Sequence, residues 1–483
     1  MNEKKLKYSV MSGLFWKFAE RMSAQLVSAI VTIILARLLL PEDYGTISLV
    51  TIFITLANVF VSDGFGAALI QKKEADNIDF STVFYFGIIF SMGLYVLIFV
   101  FVAPWVAKFY EMPILVPVLR VLAVKLPIAA INSVQQAYVS RHMIFKHFFF
   151  ATIIGTIFSA FLGIGMAYLG FGVWALVAQY LANTIIDTIV LWITVPWKPE
   201  LVFSLSRLKE LFQYGWKLLL QSLLVSFYSN IRSLAIGKAY SAKDLAYYDK
   251  GGYYPNLIVV NVDTAMSGAL FPAMSKEQQC IHRVKEIARR ATKLSSYIMS
   301  PLLIGFAACA ESFVLVLLTE KWLPMIPFLR IICANLLFRA AQTSTLQSIK
   351  AIGRSDLVLR MDIPVRVFGL TSLFVAMKFG VIYIAISELL VGLFGIILYS
   401  NVSGRVVGYK PCEVWRDFGI NVIQALIMGI LVFAFGQNSP MSALQTLFCQ
   451  IFLGGAIYIF ISLICKNENF FYLFKELTHL KHK

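Results

Sequence analysis

Lys17, Arg21, Gln25, Ser28 and Thr32 recur at steps of four, four, three and four residues inside an otherwise apolar stretch. On an α-helix that spacing draws one polar stripe along one face. A later apolar stretch carries Gln213, Lys217, Gln221, Tyr228 and Arg232 on an equivalent face, and the next holds Lys250 beside Asp249. Cations inside hydrocarbon are expensive and persist where they have a partner or a task. The chemistry on offer is binding: a basic, water-filled path for an anionic cargo. Plainer readings stand beside it. Lys17, Arg21 and Lys217 lie within two turns of a helix end and can snorkel to phosphate headgroups, and Arg232 can do so at the other end of its helix. Glu20 can neutralise Lys17 or Arg21, and Asp249 or Glu20 can pair with Lys250.

Gly251, Gly252 and Pro255 follow Lys250 closely, and together they weaken the helix ladder and suit a hinge. Asp63 and Asp263 are candidates for taking up H⁺ or Na⁺, with pairing to Arg120, Arg330, Lys125 or Arg339 as the alternative. Asp187, Glu311, Asp362 and Glu388 are further intramembrane carboxylates that the sequence does not rank.

The elements that must position these groups are set by composition. The chain has 483 residues, 59% hydrophobic and 14% charged, with mean hydropathy +0.77. A soluble fold of this length cannot hide so much apolar surface, so lipid is the solvent for most of it. Runs of roughly 20–25 mostly apolar residues place helices at 12–39, 44–70, 79–106, 114–139, 147–169, 172–195, 210–237, 244–274, 292–318, 324–349, 355–378, 381–403, 413–436 and 442–465. The expected fold is an all-α polytopic membrane protein of about 14 spans.

The formal net charge of +16 is broken up between apolar segments, which points to an anionic leaflet rather than nucleic acid. With the N-terminus inside, about 26 of the Lys and Arg fall on the cytoplasmic side, about 6 outside and about 10 within helices. An even number of helices then puts both termini in the cytoplasm. No loop exceeds about twenty residues, which leaves no room for a soluble catalytic domain. The first apolar stretch is too long for a signal-peptide core and reads as the first span. The six cysteines are scattered, with no disulfide framework, zinc spacing or other metal site. The tail 467–483 reads as an amphipathic helix on the inner leaflet, with Phe470, Phe471, Phe474 and Leu477 as its apolar face.

An internal repeat organises the helices. Trp16-Lys17 recurs as Trp216-Lys217, Asp63 as Asp263, and Leu119-Arg120 as Leu329-Arg330. The offset of about 200 to 210 residues corresponds to six helices, an even number, so the copies are parallel and related by an axis along the membrane normal. The expected layout is an N-lobe over 1–200, a C-lobe over 201–410, an appended helix pair over 411–466 and the tail, with two six-helix lobes around a central cleft.

The stretch Ser12-Gly13-Leu14-Phe15-Trp16-Lys17 through Pro41-Glu42-Asp43-Tyr44-Gly45, and then Asp63-Gly64-Phe65-Gly66-Ala67-Ala68-Leu69-Ile70-Gln71, resembles the bacterial polysaccharide-export flippases. These belong to the multidrug/oligosaccharidyl-lipid/polysaccharide exporter superfamily. Tyr247-Tyr248-Asp249-Lys250-Gly251 and Phe271-Pro272-Ala273-Met274-Ser275 fit the same group, nearest the branch of colanic acid and teichuronic acid exporters. The resemblance implies a bacterial cytoplasmic-membrane protein, no enzyme, that moves undecaprenyl-pyrophosphate-linked oligosaccharide repeat units outward by alternating access. It implies that Arg21, Lys17 and Lys250 hold pyrophosphate, a role Lys217 and Arg232 share on the basic stripe. Gln25, Gln221, Tyr228, Tyr253 and Tyr254 offer hydrogen bonds and stacking to sugars. No cofactor is expected beyond possible H⁺ or Na⁺ coupling, and the chain is expected to be monomeric. Its expected partners are the lipid-linked substrate, membrane lipids, and the polysaccharide polymerase and glycosyltransferases of the pathway. Two rivals carry their own signatures. A multidrug or metabolite exporter for cations needs an acidic cleft, and a membrane-embedded polymerase needs a long outer loop, whereas the outer loops here are short.

Overall fold

The computed structural model describes residues 3–481, with 3–11, 14, 63, 474 and 476–481 described by backbone alone. The elements in order are α1 (Glu3–Leu38), α2 (Pro41–Gln71), α3 (Asn77–Leu97), α4 (Ala103–Tyr110), α5 (Leu115–Leu122), α6 (Lys125–His142), α7 (Lys146–Tyr168), α8 (Val173–Thr194), α9 (Leu205–Ala239) and α10 (Ala242–Lys276). They continue with α11 (Ile281–Ala308), α12 (Ala310–Leu317), α13 (Ile326–Leu336), α14 (Arg339–Ala351), α15 (Ser355–Ala376), α16 (Val381–Val406), α17 (Pro411–Asn438), α18 (Ala443–Ile464) and α19 (Glu468–Lys481). No strand occurs among the described residues. Lipid cannot satisfy a backbone amide, and a helix meets every interior donor within its own segment.

Among the described residues, eleven helices are long and apolar enough to cross a membrane, or twelve if the bent pair α11–α12 counts as one span. The chain is a multi-pass membrane protein. The fourteen spans expected from sequence would also need α9 and α15. Both are long, but Lys209, Lys217 and Arg232 lower the hydropathy of α9, and Arg360, Asp362 and Arg366 lower that of α15.

Residues 1–246 and 247–483 form two compact units. In unit one, α2 lies along α9, α1 along α7, and α7 along α8. Helices immersed in lipid gain little from mutual apolar burial, so close approach of small residues matters more. At the α2–α9 crossing a Cβ on Gly215 would sit 2.8 Å from the Gly64 carbonyl oxygen, so only glycine allows this contact. Beyond the end of α2, fully buried Asp79 pairs with Lys72 at 3.0 Å and Arg207 at 3.8 Å. Arg141 caps the same end, donating to the carbonyls of Leu69 at 2.8 Å and Lys73 at 2.8 Å.

In unit two, α11 packs along α17, and α10 runs as one helix through Gly251, Gly252 and Pro255 with a second internal proline at Pro272. A Cβ on Gly251 would lie 2.9 Å from Phe328 Cβ, so this glycine seats α10 against α13. Asp417 on α17, 3% exposed, accepts from Arg289 Nε at 2.6 Å and from the Tyr409 hydroxyl at 3.2 Å. The tail is helical, and its first turn is tied down: Asn467 donates to Asn421 at 3.1 Å and Gln424 at 2.8 Å, and Lys293 pairs with Glu468 at 2.9 Å. Phe470 and Leu473 pack on the apolar cluster that contains Tyr297 and Met428, while the side chains of Phe474 and Leu477 lie outside the described residues. All six cysteines are free thiols.

The repeated arginines have matching surroundings, each within its own unit. Arg120 Nε donates to the Phe99 carbonyl at 3.0 Å, and Arg330 Nε donates to the Ala307 carbonyl at 3.2 Å. Each lies in a short helix (α5 or α13) followed within a few residues by a second (α6 or α14).

Candidate functional site

A cavity of about 510 Å³ opens in unit one between α1, α2, α6, α7 and α9. Its wall carries the Lys17 ammonium together with Ser62, Ser133, Gln136, Ser140 and Ser222. One cation among hydroxyls and an amide can hold a phosphate oxygen and hydrogen-bond sugar hydroxyls. It sits near the end of the bundle that carries Lys72, Arg141 and Lys146. Lys17 is exposed and lies 5.3 Å over the Phe145 ring, and Trp16 packs against Phe149 with the rings tilted and their centres 5.3 Å apart, where α1 meets α7.

Lys17 is thus placed in a cavity as the stripe on the first helix suggests. Arg21 and Gln25 follow one and two turns along the same face, outside the lining, with Arg21 exposed and Gln25 half-buried. On α9, Lys217 and Gln221 are exposed, and the residues that line the cavity are their neighbours Leu218 and Ser222. A helix turns about 100° per residue, so Lys217 and Gln221 stand on the face next to the one that lines this cavity. Tyr228 is half-buried. Arg232 is 8% exposed, and its Nε has no hydrogen-bond partner among the described residues. Asp63 lies in α2, but its side chain is outside the described residues.

Sequence reasoning missed the hydroxyls of α2 and α6. The signal was present: Asn132, Ser133, Gln135, Gln136, Ser140 and Arg141 form a dense polar run inside an apolar segment. Next to the cavity, Thr152 donates to Glu20 at 3.2 Å, and Asn132 donates to Asp187 at 2.7 Å. Glu20 lies within electrostatic reach of both Lys17 and Asp187.

In unit two, Lys250 is 9% exposed, with its ammonium 5.4 Å from the centre of the Tyr253 ring. Two residues before it, the Tyr248 hydroxyl donates to Glu388 at 2.7 Å. Tyr254 is buried, and its hydroxyl has no hydrogen-bond partner among the described residues. Asp263 pairs with Arg339 at 3.2 Å and accepts from the Thr343 hydroxyl. Asp362 accepts from Tyr399 at 3.0 Å. An apolar cavity of about 600 Å³ lies between α10, α11, α12, α17 and α18, walled by Pro301, Phe306, Phe313, Met428 and Ile459. Among the described residues no group of three His, Cys, Asp or Glu could hold a metal ion.

A family model described as "Polysaccharide biosynthesis protein" matches residues 34–327. The teichuronic acid biosynthesis protein TuaB of Bacillus subtilis is 25% identical over 465 residues, covering 94% of this chain and 95% of TuaB. The succinoglycan biosynthesis transport protein ExoT of Rhizobium meliloti is 21% identical over 90% of this chain and 89% of ExoT. Among solved structures, the lipid II flippase MurJ in its inward closed conformation matches with a TM-score of 0.73 at 15% identity, over 93% of this chain and 98% of that one. An inward-facing multidrug resistance MATE family transporter of the MOP superfamily matches with a TM-score of 0.63 at 17% identity, over 80% of this chain and 94% of that one. At these identities the structural likeness is one of fold.

Proposed function

The chain belongs to the polysaccharide biosynthesis protein family, and from that premise we propose that it flips undecaprenyl-pyrophosphate-linked oligosaccharide repeat units from the inner to the outer leaflet of the bacterial cytoplasmic membrane. No bond is made or broken; the work is moving a charged, hydrated headgroup through hydrocarbon. The observation that carries this reading is the cavity of about 510 Å³ in which Lys17 stands among four serines and Gln136. That lining substitutes for the water a pyrophosphate and its sugars leave behind. The apolar cavity of unit two offers a surface to the polyprenyl chain. The relatives' names point the same way, to teichuronic acid biosynthesis and succinoglycan transport.

In this proposal α9 and α15 also span, giving fourteen helices with both termini in the cytoplasm. Transport proceeds by alternating access in a monomer, with Arg21, Lys217, Arg232 and Lys250 as further phosphate contacts. Gly251, Gly252 and Pro255 give α10 its hinge, and Asp63 or Asp263 takes up H⁺ or Na⁺. The polymerase and glycosyltransferases of the pathway remain the proposed partners.

The decisive experiment follows the lipid-linked unit in spheroplasts of cells lacking the protein, using a membrane-impermeant reagent that oxidises sugars. The expected result is accumulation of the unit on the cytoplasmic leaflet, shielded from the reagent, with exposure restored by a plasmid copy. Exposure at the wild-type level in the deletion strain overturns the reading.

Arg232 supplies a second test. A buried cation with an unsatisfied donor is a poor structural element, and an apolar replacement of similar volume is often neutral or stabilising. Arg232→Met is therefore expected to keep or raise the thermal midpoint while export falls about tenfold, the worth of one charge-assisted hydrogen bond. Unchanged export by this variant removes Arg232 from the path.

A further inference from the structure

We propose that unit two carries a separate saccharide site at the far end of α11, α17 and α18, built around Glu311 and Gln450, that takes a single sugar ring of an amphiphilic glycolipid. This rests on the flippase reading, under which that end faces the outside and the site receives the headgroup after it has crossed.

The chain makes a pocket here because α11 stops at Ala308 and α12 leaves at an angle of 67°. The turn between α17 and α18 closes the other side. The pocket opens on one side and has a volume of about 250 Å³, room for several waters or one sugar ring and far more than a bare cation needs. Glu311, Ser312, Gln437, Ser439 and Thr446 bring polar groups to the wall, and the Phe433 ring lines it as well. A carboxylate, amides, hydroxyls and one aromatic face suit a pyranose, which offers hydroxyl donors and an apolar C–H face. Gln437 Nε2 donates to Glu311 at 2.9 Å, leaving the carboxylate with capacity to accept from a ligand.

Gln450 is the second, independent observation. It is 2% exposed and lines this pocket, its Nε2 donates to the Val432 carbonyl at 3.2 Å, and its Oε1 has no hydrogen-bond partner among the described residues. A buried acceptor left unsatisfied costs stability, and leucine would fill the same space without that cost. Gly436 leaves the amide its seat, because a Cβ there would collide with Gln450 Nε2. A sugar hydroxyl donating to Oε1 would satisfy the acceptor that the Nε2–Val432 bond leaves open. Gln450 also lines the apolar cavity of about 600 Å³. A small polar pocket and a long apolar one that share a residue match a molecule with a sugar at one end and a hydrocarbon chain at the other.

The test uses the full-length protein in lipid nanodiscs and a photoreactive alkyl glucoside, with labelled peptides mapped by mass spectrometry. Labels are expected on 308–315 and 433–450, displaced by octyl glucoside at a concentration at least about tenfold below that of 1-octanol. Gln450→Leu and Glu311→Gln should each cut labelling about tenfold, the worth of one good hydrogen bond, while Gln450→Leu melts no earlier than the parent. Labelling that survives both substitutions overturns the site, as does equal displacement by octanol, which would assign the binding to the apolar cavity alone. The spheroplast assay separates the two levels of the argument. If the wild type exposes the lipid-linked unit but the variants label normally, this site fails and the flippase reading stands. If the deletion strain exposes the unit normally, the flippase reading itself fails.

Discussion

Lys250→Ala is expected to abolish surface-polysaccharide export while the protein remains in the membrane at its normal level. Lys250 is 9% exposed on a helix that Gly251 seats firmly against α13, so removing its side chain leaves the backbone scaffold in place. Truncating a buried charge that pairs with an opposite one costs about 2–5 kcal/mol, or roughly thirty- to several-thousand-fold. Under the proposed function, a pyrophosphate in transit would be such a partner. Lys250→Arg keeps the charge but replaces a compact ammonium by a planar fork, and it is expected to restore export only in part. Arg21→Ala should behave like Lys250→Ala. Surface polysaccharide and membrane protein are measured in parallel by antiserum and immunoblot. Normal export by both alanine variants would show that basic side chains do not carry the cargo.

Asp417→Ala should produce the largest loss of stability. Its carboxylate gathers Arg289 through two hydrogen bonds at 2.6 and 3.3 Å, accepts from Tyr409, and lies 4.0 Å from Lys293. Without it Arg289 retains, among the described carboxylates, Glu413 at 3.8 Å, and a pair whose acidic member is buried is broken rather than replaced. Breaking such a pair costs about 3–5 kcal/mol. In a background in which Cys280, Cys412, Cys449 and Cys465 are replaced by serine, the buried thiols Cys309 and Cys333 provide the readout, since a thiol-reactive dye reaches them as unit two unfolds. The midpoint of dye labelling on heating should fall by several degrees for Asp417→Ala and by less for Asp417→Asn. An unmoved midpoint would show that the cluster is ornamental.

Most of the architecture was readable because lipid imposes a simple rule: apolar runs become helices, and charges collect at their ends. That rule recovers α2, α7, α8, α16, α17 and α18 closely. It is weakest where charge enters a helix, as in α9 and α15, which look like spans by length and not by hydropathy. Helices that break were also harder to see. The sequence reading drew 114–139 and 324–349 as continuous, and each is one candidate span, with a two-residue irregularity after Leu122 and after Leu336 that the apolar pattern does not reveal.

Site residues were legible by type more than by position. Periodicity found the polar face of α1, but it cannot say which of two adjacent faces of α9 turns toward α2 and α6. That choice is made by packing, above all by the close contact of Gly215 with Gly64. The serines of the cavity escaped notice because a lone hydroxyl can satisfy itself on its own helix backbone and so carries little signal in a sequence.

The two prolines inside α10 bear on how force passes through the molecule. Proline has no N–H to give, so the carbonyls four residues earlier, those of Gly251 and Gly268, lose their helical donors. Both positions are glycine, and each therefore combines a missing rung with a backbone that resists bending least. Gly251 is braced by Phe328 on α13, while a Cβ on Gly268 would meet no described atom within 4 Å, so under the proposed hinge the contact with α13 must loosen before α10 can bend at Gly251.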